Sequence, residues 1–194
     1  MREVNNIKGW IEYWNTDTVF LNIMGKIAGF FFSRTMPILN YSSEDTVLDI
    51  GCGPGDLEYL LKDEVKEIYG VDTSQRFIQE CQKKFSKNSN VFFYKLDEKK
   101  YTDLSFIKNK KVSIIICLSV IQYYKSVEEV EMLIRSVKKI ARPGATFLIA
   151  DIPVKHGALK DILSLLKASL IGRGKRARYD SFNLIMKSDT ASLS

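Results

Sequence analysis

The chain of 194 residues is poor in the residues that build metal sites and disulfide frameworks: it has three cysteines and one histidine. Cys52, Cys81 and Cys117 are odd in number, far apart in the sequence and in no metal-like spacing. That favours a reducing compartment and argues against a disulfide scaffold or a zinc site, so no metal is expected. The opening stretch "MREVNNIKGWIEYWN" has neither the apolar core nor the small-residue cleavage site of a secretory leader. No apolar run is long enough to span a bilayer; "IMGKIAGFFF" (Ile23 to Phe32) is too short and contains Lys26, and it reads as a buried helix. These absences point to a cytoplasmic protein without a membrane span. No Gly-Lys-Ser/Thr follows a glycine-rich turn, which excludes a Walker loop, and there is no internal repeat or low-complexity tract.

What is present has the balance of an ordinary globular protein, with 45% hydrophobic and 27% charged residues. The formal charge of +6 is uneven. Lys167, Arg173, Lys175, Arg176 and Arg178 form a basic run without an acid among them, which reads as a mobile solvated loop. A run of this kind also suits nucleic acid, through counterion release.

Beyond residue 45, short apolar runs alternate with amphipathic ones. "TVLDI" (Thr46 to Ile50), "EIYGV" (Glu67 to Val71), "VFFYK" (Val91 to Lys95), "VSIIICL" (Val112 to Leu118) and "ATFLIAD" (Ala145 to Asp151) are near-continuously apolar, as strands covered on both faces are. Between them, Ser74 caps "QRFIQECQKKF" and Ser126 caps "VEEVEMLIRSVKKI", whose acidic start and basic end match the helix dipole. "RPGA" (Arg142 to Ala145) reads as a turn. The alternation predicts an α/β fold: a doubly wound, mainly parallel sheet behind a helical N-terminal extension, residues 1–40.

In such folds ligands sit beyond the carboxyl ends of the strands. The first strand ends in "VLDIGCGPGDLEYLL" (Val47 to Leu61), a carboxylate followed by three glycines in five positions. Gly51, Gly53 and Gly55 miss the dinucleotide fingerprint because the third glycine comes one residue early. Asp49 just before the turn suits a ligand carrying positive charge better than a pyrophosphate. Asp72 lies 21 positions after Gly51 (72 − 51), where a nucleoside-binding fold places the acid that accepts from ribose hydroxyls.

"VLDIGCGPG" resembles motif I of the class I S-adenosylmethionine-dependent methyltransferases, which have a Rossmann-like fold. "YGVDTS", "FFYKLDE", "IIICLSVIQYY" and "KKIARPGATFLIAD" resemble the family's next four elements in order, so the likeness covers about residues 45–151. It implies that residues 41–194 form an S-adenosyl-L-methionine-binding domain. Gly51, Cys52, Gly53 and Gly55 would approach the methionine part, with Asp49 near its charges; Asp72 and Thr73 would serve the ribose. Leu96 and Asp97 would serve the adenine, and Leu118 or Ser119 would offer a main-chain carbonyl to the ammonium.

The acceptor side is open to more than one reading. His156 in "DIPVKHGALK" is the candidate catalytic base, or a surface loop histidine. Gln122, Tyr123 and Tyr124 line an acceptor pocket or pack as a helix start. Tyr13 and Trp14, with Trp10, share one helical face that either lids the site or packs on the core. At the fourth strand the chain has "CLSVIQYY" and lacks the Asn/Asp-Pro-Pro-Tyr/Phe signature of amino-methylating nucleic-acid enzymes. The resemblance thus implies a methyltransferase acting on a small-molecule acceptor. A binding module without turnover and an RNA-directed enzyme are the alternatives. The family's sheet closes with two more strands; here "SFNLIMKS" offers one, so the C-terminal part reads as incomplete or reduced, with an unpaired edge beside the fifth strand.

Overall fold

The computed structural model describes residues 14, 21–151, 177–180 and 183–187. The chain divides into two compact units, Met1–Tyr101 and Thr102–Ser194.

In the first unit, helix α1 (Leu21–Leu39) precedes β1 (Thr46–Ile50), α2 (Asp56–Leu61), β2 (Glu67–Asp72), α3 (Gln75–Lys84) and β3 (Val91–Lys95). The strand order is β3-β2-β1, all parallel, with Thr46 opposite Glu67 and Ile68 opposite Val91. Every residue of β1 is buried, as is Ile68–Val71 of β2, which accounts for their unalternating apolar sequence. Ser74 caps α3 by accepting from the Phe77 N–H at 3.3 Å. Phe77, Ile78 and Cys81 are the buried face of that helix, and the Phe85 ring packs on Phe93 with centroids 5.2 Å apart.

Helix α1 differs from the buried helix expected of "IMGKIAGFFF". It buries Ala28, Phe31 and Thr35, whereas Phe30 is 66% exposed and Ile27 and Ile38 also face solvent. The reason is that Lys26 and Arg34 share the outer side and cannot be buried unpaired; the Arg34 guanidinium lies over the Phe30 ring at 5.4 Å. The helix stops at Asn40, whose φ is 47°, shortly after Pro37.

In the second unit, β4 (Val112–Leu118) is followed by a single 3-10 turn, Ile121–Tyr123, then α4 (Val127–Ile140), β5 (Ala141–Ala150), β6 (Ala177–Asp180) and β7 (Asn183–Lys187). Ser126 accepts from the Glu129 N–H at 3.5 Å, and Glu129 reaches back to the Lys125 N–H at 2.7 Å, so both side chains serve orphan donors at the start of α4. Strand order is β4-β5-β7-β6, with β4 and β5 parallel and the others antiparallel.

Two expectations change here. Arg142 to Ala145 belong to β5, yet its pairing with β4 jumps from Val112 opposite Ala141 to Ile114 opposite Thr146. The predicted turn survives as an irregular excursion of the strand, with Gly144 at φ 79°. The C-terminal strands are present rather than reduced to one: β6 and β7 form a hairpin, and β7 runs antiparallel beside β5 from Thr146↔Lys187 to Ala150↔Asn183. The edge of β5 is therefore paired. Arg178, the last base of the basic run, stands in β6 opposite Ile185, not in a loop. The rest of that run, and the helix expected near Ala158 to Ile171, lie outside the described residues.

Candidate functional site

The turn after β1 is fixed by the neighbouring strand. The Gly51 and Cys52 N–H groups both donate to the Val71 carbonyl, at 2.7 and 3.1 Å. Gly51, Gly53 and Gly55 all have left-handed backbones, with φ of 79, 52 and 75°, which is the physical reason for the three glycines. At Gly55 space forbids a side chain as well: a Cβ there would lie 2.9 Å from the Phe85 ring and 3.0 Å from Cys81 Sγ. Helix α3 holds the turn from below. Cys81 Sγ donates to the Gly53 carbonyl at 3.3 Å, and Lys84 Nζ donates to the carbonyls of Pro54 and Gly55 at 3.3 Å each. Cys52 and Cys81, distant in sequence, meet thiol to thiol, and burial pushes the Cys52 thiol up. All three cysteines are free. Helix α1 approaches from the other side, where a Cβ on Gly53 would lie 2.7 Å from Met24 Cε.

Asp72 ties this turn to β2. Its Oδ2 accepts from the Gly53 N–H at 3.0 Å and its Oδ1 from the Ser74 N–H at 2.7 Å; the Thr73 N–H also donates to it. The acid thus caps the approach to α3 and braces the glycine turn at once. The carboxyl is half-buried; loss of water raises its pKa, while the three N–H donors oppose that rise. A carboxylate has about four lone-pair sites, so acceptor capacity is left over. The Leu96 N–H donates to the Asp72 carbonyl at 2.8 Å, which brings the start of the β3 loop alongside. Leu96 is buried and Asp97 exposed; Asp97 Oδ1 accepts from the Lys99 N–H at 2.7 Å. The structure therefore gathers Asp49, Gly51, Cys52, Gly53, Gly55, Asp72, Thr73, Leu96 and Asp97 at the carboxyl ends of β1, β2 and β3.

One residue of this cluster escaped the sequence reading. Glu58, in α2, is 0% exposed, and its Oε1 would lie 2.6 Å from a Cβ on Gly70. Gly70 is the residue opposite Asp49 in the sheet, and Asp49 and Glu58 meet carboxyl to carboxyl. Two carboxylates can only accept, so as ions they leave Asp49 Oδ1 and both Glu58 oxygens without a partner. A proton on either one makes it the donor. Burial, and then the nearby Asp72 charge, push Asp49 up to about 7. Burial first, then the Asp49 charge, raise Glu58 well above the usual carboxylate range.

In the second unit, Leu118 ends β4 opposite Ala150, and the chain then leaves both strands through strained residues. Ser119 and Asp151 have φ of 58 and 55°, the left-handed region that non-glycine residues seldom occupy. The Ser119 N–H donates to the Ala150 carbonyl at 3.1 Å, and the Ser119 hydroxyl donates to Asp151 Oδ2. Gln122 Nε2 donates to the Ser119 carbonyl at 2.6 Å, so this side chain folds back onto its own loop. Tyr123 and Tyr124 are half-buried at the same strand end. Asp151 was not singled out from the sequence, although, like Asp72, it is an acid at the carboxyl end of a buried strand.

Trp14 is half-buried, and its ring lies against Phe77 of α3 with centroids 6.2 Å apart. Tyr13 and His156 lie outside the described residues. Among those residues no helix is long and apolar enough to cross a membrane, and no group of three His, Cys, Asp or Glu could hold a metal ion.

A protein family described as a methyltransferase domain matches residues 41–184. The Bacillus subtilis (strain 168) protein YqeM, whose name describes it as a methyltransferase, is 24% identical over 102 residues; the match spans 53% of this chain and 40% of YqeM. Two solved structures share the fold. A Methanococcus maripaludis protein described as S-adenosyl-L-methionine-dependent methyltransferase has a TM-score of 0.66 at 16% identity, covering 100% of this chain and 98% of its own. Magnesium protoporphyrin IX methyltransferase from Synechocystis PCC 6803, solved with bound SAM, has a TM-score of 0.61 at 16% identity, covering 96% and 98%. The fold is thus α/β and doubly wound, with a mainly parallel sheet of the Rossmann-like class I methyltransferase type.

Proposed function

Because the chain belongs to the methyltransferase-domain family, we propose that it is an enzyme that transfers a methyl group from S-adenosyl-L-methionine to a small-molecule acceptor. One observation carries the cofactor assignment: a half-buried Asp72 carboxylate with spare acceptor capacity, bonded to the very N–H of the glycine turn that follows β1. The fit to this ligand is chemical. Asp72 offers acceptors to a ribose diol, and the bare backbone of Gly51 to Gly55 admits close approach. Asp49 Oδ1, buried and without a partner, offers negative charge to a cationic ligand. The turn suits a pyrophosphate poorly, because it would meet the negative charges of Asp49 and Asp72.

When bound, the cofactor supplies the activated methyl group. The protein's part is alignment for an in-line displacement and exclusion of water. In this reading Thr73, Leu96 and Asp97 complete the nucleoside side, and Leu118 and Ser119 carry the family's fourth-strand motif. Gln122, Tyr123 and Tyr124, with Tyr13 and Trp14, are assigned to the acceptor. An O–H or N–H acceptor loses its proton in the reaction, and His156 is the proposed base. The small-molecule assignment rests on the segment "CLSVIQYY", which lacks the paired prolines of the nucleic-acid amino-methylating signature, and the chain is assigned to the cytoplasm on its free cysteines.

The test has two stages. Calorimetry with S-adenosylhomocysteine is expected to show binding; absence of heat at high micromolar ligand overturns the cofactor assignment. Labelled S-adenosylmethionine is then offered with metabolite, sugar and RNA pools. Label in the metabolite or sugar pool supports the reading, label in RNA alone replaces it with the RNA-directed one, and label in none leaves a binding module.

A further inference from the structure

Glu58, buried behind the turn beside Asp49, has no part in binding in the reading above, and its position gives it one. Glu58 is fully buried and its two oxygens have no hydrogen-bond partner as a carboxylate. Isolated buried charge is too costly to persist, so a group so placed takes up a proton. Among the described residues, the groups that face the pair are few. Asp72 at the end of β2 adds negative charge, and Cys52 in the turn and Cys81 on α3 are thiols. Tyr41, before β1, is a phenol raised by burial and by Asp49. Lys84 on α3 is the cation in range of Glu58, and its ammonium is already engaged by two turn carbonyls and, at 3.4 Å, by Asp56. Nothing on these elements compensates a second negative charge. A ligand can.

We propose that the Asp49–Glu58 pair makes the glycine turn a proton-linked site for a cationic ligand: the ligand binds as Asp49 gives up its proton to solvent, and Glu58 stays protonated to donate its O–H to the Asp49 carboxylate. Glu58 is then a positioning residue: its O–H bond holds the Asp49 carboxylate and favours the charged form, against the burial and the Asp72 charge that oppose it. The balance is one proton released for one cation bound. The inference rests on the assignment of a sulfonium- and ammonium-bearing cofactor to this turn, and it deepens that assignment by making binding depend on pH. Gly70 is part of the device, because any side chain there would displace the Glu58 carboxyl.

The experiment is titration of the ligand-free protein with S-adenosylmethionine by calorimetry, in two buffers of different ionisation enthalpy, at several pH values. Near pH 6 the wild type is expected to release about one proton per ligand, and clearly fewer near pH 7.5, with affinity rising between them; above that the ligand's own amino group, with a pKa of about 8, begins to take up protons on binding. Asp49→Asn has no proton to give up there; it is expected to bind more weakly, with little pH dependence and little proton release between about pH 6 and 7.5, whereas Glu58→Gln keeps a donor to Asp49 and is expected to release the proton as the wild type does. Difference infrared spectra of the ligand-free wild type should contain the carbonyl band of a buried protonated acid, reduced in Glu58→Gln. Identical heats in the two buffers near pH 6, or an Asp49→Asn protein that releases as many protons as the wild type, would overturn the proposal while leaving the cofactor assignment intact. If Asp49→Asn does not fold, the wild-type buffer comparison decides alone. No heat at any pH overturns both.

Discussion

The carboxyl end of β1 and the carboxyl ends of β4 and β5 solve the same geometric problem with opposite materials. Both need left-handed backbone where a buried strand stops. After β1 the left-handed positions are glycines, clamped by Val71, Asp72, Cys81 and Lys84 around a buried acid pair. After β4 and β5 they are Ser119 and Asp151, one half-buried and one exposed, whose side chains bond to each other. A non-glycine residue held at positive φ stores about 1–3 kcal/mol. Strain accepted where glycine would avoid it indicates that the side chains themselves are wanted there. The first site presents bare backbone and fixed charge; the second presents functional groups.

That contrast can be broken by exchanging the materials. The largest effect is expected at Gly55. Gly55→Val combines a forbidden backbone with overlap on Phe85 and Cys81, and should cost about 2–5 kcal/mol of stability, from strain and overpacking together. Denaturant titration reads it, and a loss under about 1 kcal/mol would show that the turn yields easily.

Next comes the acid pair. The folded-state pKa of Asp49, about 7, lies above its unfolded value near 3.8. A carboxyl raised in this way favours the fold fully below the unfolded pKa, and the advantage is lost as pH rises through the window from about 4 to 7. Stability of the ligand-free protein should therefore fall across that window, by on the order of 1 kcal/mol per pH unit at its steepest. Asp49→Asn should lessen the slope, the remainder coming from Glu58, which burial also raises, and should be the more stable protein at pH 8. A variant as pH-sensitive as the wild type would place the titration elsewhere.

The smallest effect sharpens the other half of the comparison. Ser119→Gly relieves a left-handed backbone and deletes one exposed hydroxyl. It should leave stability unchanged or raise it by about 0.5–1 kcal/mol, the opposite sign to any change at Gly55. A clear loss would mean that the Ser119–Asp151 bond outweighs the strain.

Much of this could be read from the chain. Strands covered on both faces announce themselves as apolar runs, and the caps Ser74 and Ser126 were where helix physics puts them. Asp72 was found by its distance from the glycines. The hairpin was harder: "ARYD" of β6 is four residues with one aromatic, and no apolar run marks it, because it pairs only with β7. The outward face of α1 was misread because apolar content alone does not say which side is covered. Glu58 was invisible for a related reason. In "DLEYLL" an acid amid apolar residues reads as the solvent side of a helix, and only the register of Asp49 opposite Gly70 reveals that the carboxyl turns inward.

The central claim is that the turn after β1, braced by Asp72, binds a nucleoside-bearing cofactor. The most direct measurement is calorimetric titration of S-adenosylhomocysteine into the wild type and Asp72→Ala, with folding of both checked by circular dichroism. Hydrogen bonds to a charged acceptor are worth roughly 1.5–3 kcal/mol, so the account predicts measurable binding to the wild type and an affinity weaker by about tenfold or more in the variant. Equal affinities in two folded proteins, or tight binding of a nicotinamide dinucleotide in place of S-adenosylhomocysteine, would contradict it.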